Sequence, residues 1–101
     1  MCGHIKKVDT KYREWMREQS CAYCGVYIKN STVPHHERIL GGGGIGIKPP
    51  DTDLVPLCSY DHHVRHDQGA VTFWGQKTKA RTKKFCRDLC DDYIKRYLEE
   101  K

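Results

Sequence analysis

No stretch of this 101-residue sequence is apolar enough to cross a membrane, and its opening, Met1-Cys-Gly-His-Ile-Lys-Lys7, lacks the apolar segment of a secretion signal. Core material is scarce: 38% of residues are hydrophobic against 31% charged, with two Phe, two Trp and two Met. There is no internal repeat and no clear domain linker. The glycine run Gly41-Gly-Gly-Gly44-Ile-Gly46 lacks the lysine and hydroxyl of a phosphate-binding loop at the right spacing, which excludes nucleotide binding of that type. No strand–helix–strand pattern surrounds Cys21-x-x-Cys24, which argues against thioredoxin-like redox chemistry. Between Lys77 and Arg87 there is not one acid.

These absences leave a single domain over residues 1–101 with a modest core, a size at which a bound metal helps folding. Six cysteines without a signal segment read as reduced thiols in a cytoplasmic protein rather than a disulfide scaffold. The formal charge of +5 fits a polyanionic partner.

Residues 9–20 read as a short helix capped by Asp9 or Thr10, with Tyr12, Trp15, Met16 and Gln19 on one face. Cys21 to Gly25 reads as a metal-binding turn, Val26-Tyr27-Ile28 as a short strand, and Ser31 to Leu40 contains an extended stretch. Leu54 to Leu57 reads as a short edge strand because Pro56 has no N–H. A helix is predicted from near Ser59 to Gly69, with Phe73 and Trp74 as core anchors. A basic linker from residue 76 then leads into a helix with an apolar stripe at Phe85, Cys86, Leu89, Cys90, Tyr93, Ile94, Tyr97 and Leu98.

Two sets of metal-binding residues interleave along the chain. Cys21 and Cys24 have the spacing at which one turn aims two sulfurs at one ion. Zinc takes four such ligands, and the second pair by the same spacing is Cys58 with Asp61; His62, His63 or His4 are the alternatives for the fourth place. His62 and His66 lie four apart on the predicted helix, so they share a face. His35 and His36 lie in extended chain, where neighbours point to opposite sides, so one can bind metal while the other acts as a base. Cys86 and Cys90 belong to the apolar stripe and read as buried small side chains.

The order Cys-x-x-Cys, His35-His36, Asp53-Leu-Val-Pro-Leu-Cys58, Asp61-His62-x-x-x-His66 resembles the HNH endonucleases of the ββα-metal class. More narrowly, Gly44-Ile-Gly-Ile-Lys48-Pro-Pro-Asp51, His66-Asp-Gln-Gly69 and Phe73-Trp74 look like compact phage and prophage HNH proteins related to the recombination-associated nuclease Ref. The resemblance covers about residues 10–75. It implies an α+β fold: a ββα-metal finger with a zinc knuckle, an N-terminal helix and a C-terminal amphipathic helix. It also implies His36 as general base and His35, His62 and His66 as ligands of a catalytic divalent ion, Mg²⁺ or Mn²⁺, with Zn²⁺ or Ni²⁺ as alternatives. Asp53 falls where the family often has the Asn that orients the base, and Cys21, Cys24, Cys58 and Asp61 match a structural Zn²⁺ site. A register shifted by one would instead put His62 on zinc, with His63 and Asp67 at the catalytic ion.

The activity so implied is hydrolysis of DNA phosphodiester bonds. An imidazole, with an ordinary pKa of about 6.5, is largely available as a base near neutral pH. Arg38, Lys48, Lys77, Lys79, Arg81, Lys83 and Lys84 are candidates to hold flanking phosphates. No base-reading motif is present, so low sequence specificity is expected. Phage or host recombination or packaging proteins are candidate partners, in a bacterial host cell. Two other readings compete: a non-catalytic zinc-binding DNA module, and a protein-interaction domain of a phage recombination or packaging complex.

Overall fold

Pro34 and Pro56 face each other across a two-stranded antiparallel sheet made of β1 (Thr32–His36) and β2 (Leu54–Cys58). A proline has no N–H to donate. The two can oppose each other without losing a ladder bond only at a non-hydrogen-bonded pair, where N–H and C=O point away from the partner strand. The Pro56 carbonyl does point away, accepting from Ala22 N at 2.8 Å. His35 then opposes Val55, and His36 opposes Leu54. This computed structural model describes residues 5–27, 32–41 and 49–100.

The alternation of the strands divides the core in two. Val55 and Leu57 join Cys21, Phe73, Trp74, Cys86 and Cys90 in one cluster. Leu54, pointing the other way, joins Ile5, Tyr12, Met16, Tyr93 and Tyr97 in a second. Leu54, Val55 and Leu57 are all 0% exposed, and each contributes about 1.5–3 kcal/mol by burial.

Helices complete the α+β arrangement. Asp9 caps α1 (Thr10–Met16), accepting from Tyr12 N at 3.0 Å. The second strand runs directly into α2 (Ser59–Gln68), which ends at Gly69, whose φ of 82° suits glycine. A short α3 (Ala70–Trp74) and then α4 (Lys79–Glu100) follow. The strand–strand–helix order over residues 32–68 agrees with the reading of the sequence. No helix of the described residues is long and apolar enough to cross a membrane.

Three expectations need correction. The first helix stops at Met16 rather than continuing to residue 20. Glu18 N and Gln19 N bond three residues back, to Trp15 and Met16, which tightens the chain into the turn that delivers Cys21. Val26 and Tyr27 are not strand; the Val26 carbonyl is taken by Cys21 N at 2.9 Å, closing the cysteine turn, and Ile28 lies outside the described residues. The basic run is not a linker but largely the first turns of α4, begun by Thr78, whose hydroxyl accepts from Arg81 N at 3.1 Å.

Candidate functional site

The cysteine turn and the start of α2 meet at a cluster of three thiols and one carboxylate. One ligand atom each from Cys21, Cys24, Cys58 and Asp61 lies within 4.8 Å of the others. Asp61 Oδ2 sits 3.1 Å from Cys21 Sγ and 3.3 Å from Cys58 Sγ, and the Cys24 and Cys58 sulfurs are 3.9 Å apart. Burial pushes Asp61 up, yet hydrogen bonds from the three thiols outweigh it and hold the carboxyl below its usual range. Hydrogen bonding to Asp61, first among several causes, pushes the Cys24 thiol up to about 12. Three soft sulfurs and a carboxylate oxygen at these separations fit a tetrahedral zinc ion, which binds the thiolate forms. The four residues proposed from the spacing are thus brought together and could hold zinc, with Asp61 in the fourth place.

The second cluster forms where the end of β1 meets one face of α2. His35, His62 and His66 each offer a nitrogen within 4.8 Å of the others. The i, i+4 spacing puts His62 and His66 on one face, their Nε2 atoms 3.2 Å apart, and the His35 ring lies 5.0 Å and 5.3 Å from theirs, centroid to centroid. His35 is buried, His62 half-buried and His66 exposed, so the cluster opens to solvent on one side. Burial, then the neighbouring His35, His66 and Arg65, lowers the His62 pKa and favours the neutral imidazole that binds metal. Nε2 of His35 is buried and its nearest acceptor is Glu37 Oε2, at 3.5 Å. Three convergent imidazoles are a donor set that could hold a metal ion. The shifted register has no such geometry: His63 and Asp67 pair with each other at 3.3 Å in solvent.

His36 points to the opposite side of β1, toward Asp51 rather than Asp53. Its Nε2 is 3.0 Å from Asp51 Oδ1. Asp51 is fully buried and also accepts from Arg13 Nε and Nη2 and from Asp9 N, all at 2.7 Å. Burial raises its pKa, but Arg13, the Asp9 N–H and His36 prevail and keep it ionised below the usual carboxylate range. The Asp53 carboxylate, expected to orient the base, is instead engaged by Arg87 Nη1 at 2.9 Å. The Asp53 carbonyl accepts from Glu37 N at 2.9 Å.

A buried network lies behind the histidines. Glu37, 0% exposed, accepts from Arg65 through Nε at 3.0 Å and Nη2 at 2.6 Å, and from Trp74 Nε1 at 2.6 Å. It locks β1 to α2 and α3. Burial pushes Glu37 up, but His35 and Arg65 prevail and hold it at about 2 against an ordinary 4.5. Strand alternation carries the signal: Glu37 follows His35 by two and so shares its inward face, where a charge needs a partner. Glu37→Gln should cost about 3 kcal/mol in urea denaturation at neutral pH, because Arg65 is left buried without its counter-charge. A depressed carboxylate stabilises above its unfolded pKa, so the wild-type advantage should fade as pH falls from about 4.5 toward about 2. An unchanged midpoint for Glu37→Gln would refute this role.

Of the candidate phosphate contacts, Arg38, Lys77, Lys79, Arg81, Lys83 and Lys84 are exposed. Lys84 is paired with Asp88 at 3.1 Å, and Lys48 lies outside the described residues, as does His4. Cys86 and Cys90 are buried in the core, as their place on the apolar stripe predicts.

A family model described as "Protein of unknown function (DUF968)" matches residues 4–91. Among curated proteins, the "Uncharacterized protein YdfU" of Escherichia coli (strain K12) is 39% identical over 59 residues. That match covers 58% of this chain but only 16% of the longer relative. No solved structure matches.

Proposed function

We propose that this chain, which belongs to the DUF968 family, is a metal-dependent DNA endonuclease of the ββα-metal type. The observation that carries the reading is the convergence of His35, His62 and His66 at the meeting of a hairpin and a helix; His36 follows His35 in the same strand. The cysteine cluster is then the structural site, since all four of its places are filled by protein. The histidine cluster is the working site, since three ligands leave room for substrate.

A divalent ion held by His35, His62 and His66 would supply positive charge to the phosphoryl oxygen and the leaving 3′ oxygen. The donor set, three nitrogens, favours Mn²⁺, Zn²⁺ or Ni²⁺ over Mg²⁺, which prefers oxygen. His36 takes the proton from the attacking water. The products then carry 5′-phosphate and 3′-hydroxyl ends, as the HNH resemblance implies. Arg38 and the lysines and arginine of the α4 start offer cations to flanking phosphates, a contact without sequence preference.

The test is supercoiled plasmid incubated with the purified chain and Mn²⁺, Ni²⁺, Mg²⁺ or no added metal. Nicking that depends on metal, and is stronger with Mn²⁺ than with Mg²⁺, is expected. Salt-sensitive binding with no cleavage under any metal would instead select a non-catalytic zinc-binding DNA module.

A further inference from the structure

The contact between His36 and Asp51 has a direction. Asp51 lies under the Arg13 guanidinium, which grips both of its oxygens at 2.7 Å, and an ionised carboxylate only accepts hydrogen bonds. The His36–Asp51 bond at 3.0 Å must therefore be donated by the Nε2–H of His36. A neutral imidazole carries one ring proton, so its other nitrogen, Nδ1, is left bare.

We infer that Asp51 and Arg13 are positioning residues for His36, holding its ring in the orientation and tautomer in which Nδ1 can accept a proton. The inference rests on His36 acting as the base in the proposed cleavage. The device is built from three distant segments. Asp51 opens a short 3₁₀ turn, Asp51–Asp53, directly before β2. Pro50, extended at φ −71° and ψ 157°, delivers the chain to that turn. Arg13 reaches it from α1, 38 residues earlier, and the N–H of Asp9, which caps that same helix, takes a further place on Asp51 Oδ2. The carboxylate is 0% exposed while the His36 side chain is 25% exposed. Its orienter is thus shielded from water, and the ring it orients remains reachable. Asp53, two residues on, is occupied by Arg87 on α4, so the two acids of the turn have separate partners.

The experiment is a long-range ¹H–¹⁵N correlation on the full chain as purified, with ¹⁵N-labelled histidine, beside plasmid nicking kinetics. His36 should show the proton on Nε2. Asp51→Asn can donate as well as accept, so the His36 signal should move toward the Nδ1–H form and kcat should fall ~10²-fold with KM retained. Arg13→Met should lower kcat roughly tenfold with KM retained, and Arg13→Lys, which keeps the charge but loses the fork, should fall between. The Arg13 variants and the wild-type tautomer decide the matter even where Asp51→Asn does not fold. A wild-type His36 protonated on Nδ1, or Arg13→Met cutting at the wild-type rate, overturns the inference while leaving the nuclease reading intact. A wild type that never cuts overturns the nuclease reading, and the positioning role falls with it even where Nε2–H is found.

Discussion

Cys24→Ser should leave no cooperative thermal transition, and strong chelation should do the same to the wild type. A structural zinc contributes on the order of 10 kcal/mol in small domains, and a domain of this size has a net stability of about 5–15 kcal/mol. Losing the ion therefore removes most of what keeps the chain folded. Cys24 is the informative position because it is exposed, whereas Cys21 is buried in the core. Serine at 24 takes away a sulfur ligand without opening a cavity, so any collapse reports on the metal and not on packing. The structural reason for so large an effect is the placement of the cluster. It joins the turn after α1 to the junction of β2 and α2, two segments also tied by the bond from Ala22 N to the Pro56 carbonyl and by the packing of Cys21 on Val55 and Leu57. Elemental analysis of purified protein should find one tightly held zinc per chain. Protein purified without zinc, or a melting curve unmoved by chelation, would show that the cluster is only a set of neighbouring thiols.

His36→Ala should do the opposite: plasmid nicking falls ~10²–10⁴-fold, the range for loss of a general base, while the circular dichroism spectrum and DNA binding stay near wild type. The fold survives because the deletion leaves no buried charge alone. Asp51 keeps both bonds from Arg13 and the one from Asp9 N, so the loss is one charge-assisted hydrogen bond of about 1.5–3 kcal/mol. The ring itself is part-exposed and outside both core clusters. Circular dichroism and nicking measured side by side for His36→Ala and Cys24→Ser give the decisive comparison. Full activity in His36→Ala, or equal loss of fold in both variants, would dissolve the division into a working histidine site and a structural cysteine site.

The parts of this arrangement that the sequence made legible are those governed by local periodicity. His62 and His66 share a helix face because they are four apart, and His35 and His36 diverge because strands alternate. The pair Cys58 and Asp61 was found by copying the spacing of Cys21 and Cys24. What escaped was long-range pairing of charges. Nothing local distinguishes Asp51 from Asp53, two acids in the same short turn; only the positions of α1 and α4 decide that one meets Arg13 and His36 and the other Arg87. Glu37 shares the inward face of His35 by strand alternation, but its partners Arg65 and Trp74 come from α2 and α3, and no local pattern marks them. The run from Lys79 reads as linker in the sequence because its apolar stripe begins only at residue 85, although its backbone is already helical.

The facing prolines of the hairpin have a consequence for how copies of this chain treat one another. A sheet of two strands has two edges, and an uncovered edge offers backbone groups that a strand from a neighbour could zip onto. At the centre of either edge the outward N–H would belong to residue 34 or residue 56, and proline has deleted both donors. On the β2 side the matching carbonyl is also spent on Ala22. An incoming strand would find its ladder broken midway on either side. So small a sheet thus resists intermolecular growth without a covering strand, at positions where the missing donors cost the hairpin nothing.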